Sequence, residues 1–355
     1  MLRTSYATVY AFAVAFGLSL ILTPVVRWFA RKTKAMCYPN VHSVHRKPIP
    51  YLGGVAIYLA SVIAMLVFPP NDSVALNSVI IGGFIILAVG VIDDLYELTP
   101  LWKFLGQCVS AGAVIWLGLS ISFVTNPFTG AVRLLGAFAI PLTLLWVISF
   151  ENLVNFSDGL DGLAAGVTGI TALVMVFAAA KAGAGGITTA AAALAGSVFG
   201  FLPFNFHPAS IFMGDAGAMY IGLALAVLSV QGLAKSAVFM SILVPLLTLM
   251  VPISDAAFAV IRRSLAGTSF ARKDHDHLHH RLLELGMGQR QAVLIIYAVS
   301  IGFGILGMIS SFVPVTQGGP IAGLAILGLL AVAYKAGLLT ISVKKKHKGH
   351  ESHHG

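Results

Sequence analysis

The side chains able to do chemistry in this sequence are few and grouped. Of 355 residues only 13 are Asp or Glu, and most lie in short polar connections between long apolar runs. VIDDLYEL (91–98) puts Asp93 and Asp94 at the end of an apolar run, with Glu97 close behind. If the helix continues, Asp93 and Glu97 share a face. Acids at a helix C-terminus are opposed by the dipole and by one another, so a divalent metal or a cation from another loop would offset their cost. NLVNFSDGLDGLAAG (152–166) spaces Asn155, Asp158 and Asp161 by three, one polar stripe if helical, with Gly159 and Gly162 allowing a ligand close approach. FNFHPASIFMGDAGAMYIG (204–222) sets Asp215 just ahead of an apolar run. That is an N-cap position. With Asn205 and His207 nearby it is also a natural ligand for a hard metal.

The basic groups complement these. PNVHSVHRKPIPYLGG (39–54) carries His42, His45, Arg46 and Lys47 before a Pro-x-Pro turn and a glycine pair. RRSLAGTSFARKDHDHLHHRLLELGMGQR (262–290) carries Arg263, Arg272, Lys273, His277, His279 and His280. It has no HExxH, no His-x3-His and no Cys pair, so zinc is disfavoured and an anion, phosphate above all, is preferred. Carboxylates and an amide suited to Mg²⁺, together with cations suited to phosphate, point to phosphoryl transfer, because Mg²⁺ binds through one or two carboxylates plus substrate phosphates.

The elements that must position these groups are membrane helices. The chain is 58% hydrophobic and 10% charged, with a mean hydropathy of +0.91, against about one-quarter charged in a soluble domain. Cys37 and Cys108 cannot form a disulfide framework. Eleven apolar stretches approach the length of roughly 20 residues that a bilayer requires: 6–29, 53–69, 76–92, 103–120, 136–153, 162–181, 188–204, 216–233, 237–261, 291–312 and 320–341. Pro245 and Pro252 predict a kink in the ninth. The first is long and has its charges behind it, so it reads as an uncleaved anchor.

Of the 22 Lys and Arg residues only Arg3, Arg133, Lys181 and Lys235 fall outside the odd-numbered connections and their flanks. The positive-inside rule then places those connections in the cytoplasm and the N-terminus outside. Of the acids, only Asp72 falls in an outside loop. The expected fold is therefore an all-α polytopic membrane protein of about eleven helices with its active site on the cytoplasmic face. Residues 1–343 form a single transmembrane domain, and 344–355 form a basic, His-rich tail facing lipid headgroups. Asp255, inside the ninth span, needs a partner that sequence does not name. Around 122–124 a weak alternation suggests a small external hairpin.

The motifs VIDDLYE, NLVNFSDGLDGLAAG, NFHPASIFMGDAG, PISDAAFAVIRR and HLHHRL resemble, in order and spacing, the polyprenyl-phosphate N-acetylhexosamine-1-phosphate transferases, over about residues 20–310. The branch most resembled is the bacterial undecaprenyl-phosphate N-acetylglucosamine-1-phosphate transferases that begin teichoic acid or O-antigen (lipopolysaccharide) synthesis. His277, Leu278, His279, His280 and Arg281 have that branch's form rather than the contiguous three-His run of the phospho-N-acetylmuramoyl-pentapeptide transferases.

The resemblance implies transfer of GlcNAc-1-phosphate from UDP-GlcNAc to undecaprenyl phosphate, a Mg²⁺-dependent EC 2.7.8 reaction (Mn²⁺ serving as a substitute) at the bacterial cytoplasmic membrane. UDP-GalNAc and UDP-MurNAc-pentapeptide are the alternative donors. The same resemblance implies Asp215 as the main metal ligand with Asn155 as a second, and Asp93 and Asp94 as the essential acidic pair. Lys47, Arg263, His277, His279 and His280 would contact phosphates or sugar. Asp158, Asp161 and Phe212 would lie at the nucleotide, and Asn205 would support the metal site. Two positions depart from the family pattern: His42, where Arg is frequent, and Ala216, where Thr is. A homodimer is compatible with this reading, and no nucleic-acid partner is expected. A cation-coupled transporter is the rival from another class, but it would place its carboxylates near the bilayer midplane on broken helices. A non-catalytic scaffold leaves the Asn155/Asp158/Asp161 grouping without a purpose.

Overall fold

Long apolar runs in a bilayer leave the backbone no hydrogen-bond partner but itself, and helices are the open-chain solution. The computed structural model describes residues 2–39, 47–70, 73–126, 128–235, 240–255 and 286–310, with isolated positions at 257, 282–283, 313 and within 316–328. The helices are α1 (Leu2–Lys32), α2 (Gly53–Val67), α3 (Ser73–Asn77), α4 (Gly83–Tyr96), α5 (Pro100–Trp116), α6 (Ala139–Ser157), α7 (Leu163–Lys181), α8 (Gly185–Asn205), α9 (Gly214–Lys235), α10 (Met240–Thr248) and α11 (Gln289–Ser310). A single π-turn, Ser78–Gly82, joins α3 to α4 into one rod, Ser73–Tyr96.

Among the described residues seven helices are long and apolar enough to cross a membrane, and α2 is shorter at 15 residues. The chain is thus a multi-pass, mainly helical membrane protein. The first eight spans and the tenth expected from sequence correspond to helices. The ninth is only partly described, and the eleventh and the tail lie largely outside the described residues. The predicted break in the ninth span is present: α10 ends at Thr248, Leu249 forms a turn, and helix resumes over 250–255. Pro252 lacks the N–H that would have bonded the Thr248 carbonyl.

The hub is α9. Of its most apolar window, Gly214–Gly232, 94% is buried, and α2, α4, α6, α8 and α10 all pack on it. Glycine makes this possible, because small residues let membrane helices approach backbone to backbone. A Cβ on Gly54 of α2 would overlap the Gly217 backbone, one on Gly90 of α4 would overlap Ala216, and one on Gly222 of α9 would overlap the Phe150 carbonyl and Glu151 of α6. The three contacts set the depth of α2, α4 and α6 relative to α9. At the opposite end from these crossings, β3 (Phe123–Thr125) and β4 (Val132–Leu134) form the suspected hairpin, with Val124 opposite Arg133.

Gly90→Ala tests this packing. Forcing a methyl into that crossing should cost about 1–3 kcal/mol, read as a lower melting midpoint of the detergent-solubilised protein. An unchanged midpoint would show that the α4–α9 contact is looser than described.

Candidate active site

Four helix ends meet at one end of the bundle, and each brings one polar side chain: Asp93 from the last turn of α4, Lys103 from the first turn of α5, Asn155 from the last turn of α6 and Asp215 from the first turn of α9. Lys103 Nζ lies 2.9 Å from Asp93 Oδ2 and donates to Asn155 Oδ1 at 3.1 Å. It also pairs with Asp215 Oδ2. Asn155 Nδ2 closes the group by donating to Asp215 Oδ1 at 2.8 Å.

Three oxygens, from Asp93, Asp215 and Asn155, thus converge on one cation, the Lys103 ammonium. Among the described residues no three His, Cys, Asp or Glu side chains form such a group on their own. The donor set is two carboxylates and an amide. These are hard oxygens of the kind Mg²⁺ takes, in the small number it takes when substrate phosphates supply the rest. The residues present therefore fit the metal.

The acidic pair divides its work. Asp93 Oδ1 accepts the Leu98 N–H at 2.8 Å, which fixes the turn after α4, and its Oδ2 faces Lys103. Asp94 turns instead to the start of α9, accepting the N–H of Asp215 at 2.8 Å and of Ala216 at 3.3 Å. These are orphan donors at the positive end of a helix dipole, and an anion there is stabilised. So the N-terminus of α9 is capped by Asp94 from another helix, and Asp215 is left free to face the centre. Gly214 has φ 73°, and a Cβ there would overlap the Asp94 carboxylate.

The register between α5 and α6 is set by a polar seam. Lys103, Gln107 and Ser110 recur on one face of α5. They meet Asn155, Asn152 and Glu151: Asn152 Nδ2 donates to Gln107 Oε1 at 3.0 Å, and Ser110 Oγ to Glu151 Oε1 at 3.3 Å.

The loops around this centre are tied by backbone. β1 (Met36–Cys37) pairs antiparallel with β2 (Ile49–Pro50). Beyond β2, Phe212 donates to the Pro50 carbonyl at 2.9 Å, Gly53 to the Phe212 carbonyl at 3.0 Å and Gly54 to the Met213 carbonyl at 2.9 Å. Phe212 is tilted against Tyr51, ring centroids 6.3 Å apart. Burial, a hydrogen bond with Cys37 and the nearby Asp94 and Asp215 charges push the Tyr51 hydroxyl well above its ordinary pKa, so it stays protonated.

Asp158 and Asp161 lie on the turn between α6 and α7 rather than on a helical stripe. The helix ends at Ser157, Asp158 (φ −83°, ψ 53°) caps it, and Gly162 has φ 80°. The Asp-Gly-Leu-Asp-Gly stretch favours a turn over helix, because glycine costs most in a helix and Asp competes for nearby backbone groups. Asp161 Oδ2 takes His207 Nδ1 at 2.8 Å and the Ala209 N–H at 3.1 Å. His207 Nδ1 is thus engaged by Asp161 rather than by Asp215. Asn205, 2% exposed, accepts the Gly162 N–H at 3.2 Å and donates to the Ile211 carbonyl at 3.1 Å. It braces the 158–162 turn against the 205–213 loop.

Glu97 does not share the Asp93 face. It is the exposed, left-handed cap of α4 (φ 50°). Lys47 is exposed two residues before β2, and Asp255 is half-buried at the end of the 250–255 helical stretch. Arg263, His277, His279 and His280, like His42, His45 and Arg46, lie outside the described residues. Lys103 is the residue that sequence reasoning missed. Its signal was that it is the one basic residue in the connection that follows the acidic pair.

The glycosyl transferase family 4 model matches residues 76–233, which include Asp93, Lys103, Asn155 and Asp215. The probable undecaprenyl-phosphate N-acetylglucosaminyl 1-phosphate transferase of Bacillus subtilis (strain 168) is 38% identical over 85% of this chain and 84% of its own length. The chain belongs to the polyprenyl-phosphate N-acetylhexosamine-1-phosphate transferase family. The decaprenyl-phosphate N-acetylglucosaminephosphotransferase of Mycobacterium tuberculosis is 38% identical over 78% of this chain and 75% of its own length. The phospho-N-acetylmuramoyl-pentapeptide-transferase of Moorella thermoacetica is more distant, 31% identical over 83% of this chain and 96% of its own length. The chain is accordingly an enzyme of the phosphotransferase kind.

Outside the membrane-spanning helices, burial pushes the Asp158 carboxyl up from 3.8 to about 7, with the Asp215 and Asp161 charges adding to the effect. A raised carboxyl pKa in the folded state means that ionising it opposes folding. The contribution of the protonated form is full below about pH 4 and is lost as pH rises through about 7. Asp158→Asn should therefore raise the melting midpoint of the ligand-free protein more at pH 8 than at pH 5. Equal shifts at the two values would show that Asp158 is ordinary.

Proposed function

We propose that the enzyme transfers N-acetylglucosamine-1-phosphate from UDP-GlcNAc to undecaprenyl phosphate, giving undecaprenyl-diphosphate-GlcNAc and UMP, as the first membrane step of a cell-envelope polymer. The observation that carries the reading is the convergence of Asp93, Asn155 and Asp215 oxygens on one cationic centre at a single end of the helix bundle. The choice of sugar rests on the relatives at 38% identity, whose names specify N-acetylglucosamine. The setting proposed is the bacterial cytoplasmic membrane with this end of the bundle facing the cytoplasm, in keeping with where the Lys and Arg residues fall.

Asp215 and Asn155 would hold Mg²⁺, in the place that the Lys103 ammonium takes against their oxygens. Bound there, it supplies neutralisation of the diphosphate and polarisation of the bond that breaks. A lipid phosphate oxygen attacks the β-phosphorus of UDP-GlcNAc. The bond from that phosphorus to the bridging oxygen breaks, and UMP leaves with the electron pair. Asp93 orients the lipid phosphate, and it receives the proton when the acceptor arrives as the monoanion. Asp94 holds the α9 N-terminus, and hence Asp215, in register. Lys103, kept beside Asp93, would place positive charge next to the phosphates, a preorganised electrostatic contribution. Asp158, Asp161 and Phe212 lie on the nucleotide side, and Lys47, Arg263, His277, His279 and His280 contact phosphates or sugar.

Purified protein given UDP-GlcNAc, undecaprenyl phosphate and Mg²⁺ should release UMP, and release should stop with EDTA and in Asp215→Ala. Lys103→Met should lower kcat by about 10²-fold, the scale of losing one charge-stabilising group. UMP release unchanged in Asp215→Ala would sink the metal assignment. Preference for UDP-MurNAc-pentapeptide or UDP-GalNAc in direct competition would overturn the donor assignment and leave the chemistry standing.

A further inference from the structure

The turn that carries Asp158 and Asp161 is held from outside by α11, a helix that the reading above gives no role. Tyr297 donates its hydroxyl hydrogen to the Gly162 carbonyl. Its ring lies directly over Gly166, where any Cβ would overlap the ring carbons. The approach is open only because residue 166 has no side chain. Gly162 is the left-handed residue of the turn, φ 80°. Its N–H is already fixed by Asn205, so Tyr297 fixes the other side of the same residue. A second tie runs from the same helix: Arg290 Nε donates to the His207 carbonyl at 2.9 Å, and His207 Nδ1 lies 2.8 Å from Asp161 Oδ2. The helix also packs along α7, the helix that the turn opens into.

We propose that Tyr297 is a positioning residue for the nucleotide. Its hydroxyl locks the Gly162 carbonyl, and with it the turn that presents Asp158 and Asp161 to the uridine diphosphate sugar, while the lipid-phosphate side of the centre at Asp93 is untouched. The proposal rests on the assignment of Asp158 and Asp161 to the nucleotide side. It predicts a substrate-selective defect, which a residue that only stabilises the bundle would not produce.

The test uses the full-length protein in detergent, with KM measured separately for UDP-GlcNAc and for undecaprenyl phosphate, and with equilibrium binding of UMP measured without lipid. Tyr297→Phe removes one hydrogen bond. It should raise the UDP-GlcNAc KM and weaken UMP binding by up to roughly tenfold, and leave the lipid KM within about twofold. Gly166→Ala presses on the ring from below and should produce the same split, while adding nothing further in a Tyr297→Ala background. The two variants alter one contact from opposite sides, so either decides if the other does not fold. Asp161→Asn is the control on the underlying assignment. If it raises the UDP-GlcNAc KM while Tyr297→Phe and Gly166→Ala do not, the proposal is wrong. Equal rises in both KM values also overturn it. If Asp161→Asn itself leaves the UDP-GlcNAc KM unchanged, the nucleotide assignment fails instead.

Discussion

Three carboxylates, Asp93, Asp94 and Asp215, are crowded at the ends of packed membrane helices, and like charges in a partly dehydrated place repel strongly. Two devices hold them there. One ammonium, Lys103, is shared between Asp93 and Asp215, and the dipole and free N–H groups at the start of α9 receive Asp94. The two devices act on different acids, so they leave one face of the cluster directed at a common point. That combination of close negative charge and a fixed, incomplete set of oxygens is what a divalent cation bridging to phosphate requires. Coulomb's law alone would spread these acids apart.

The bundle exists to bring the four helix ends that close. Gly54, Gly90 and Gly222 supply no side chain to the site, and each removes the one that would have pushed α2, α4 or α6 off the hub, Gly90 directly against the backbone of Asp215 and Ala216. The seam Lys103–Asn155, Gln107–Asn152, Ser110–Glu151 then fixes how far α5 can slide along α6. In hydrocarbon, polar pairs of this kind do more for register than for stability. Packing thus sets the distance between helices, and hydrogen bonding sets their stagger.

Much of this was legible in the sequence because the bilayer enforces one rule everywhere: apolar runs of about 20 residues become helices, and the rare charges collect at their ends. The positions of Asp93, Asn155 and Asp215 at such ends follow from that rule. Helix limits did not. The run 76–92 appears short because Asp93 and Asp94 end the apolar stretch, yet helix continues to Tyr96, since an acid whose charge is met by Lys103 or by a neighbouring helix start no longer terminates it. The run 188–204 likewise begins earlier, at Gly185, and ends at Asn205. Asp158 and Asp161 suggested a helical stripe through their spacing, and the intervening glycines made a turn instead. Lys103 was hidden because one lysine near a helix end is what the expected topology alone would supply. Its meaning lies in Asp215 and Asn155, 112 and 52 residues away, a distance across which no local pattern speaks.

The backbone bonds between Pro50, Gly53 and Gly54 on one side and Phe212 and Met213 on the other, together with the β1–β2 pair, pin both feet of the stretch between Tyr38 and Pro48. An excursion anchored in this way can change length or composition at a small entropic penalty, because closure entropy grows only slowly with loop size. The floor that carries Asp215 would not feel the change. The geometry at Asp215 is thus set by main-chain bonds at the two feet, and it does not depend on which side chains the residues between them carry.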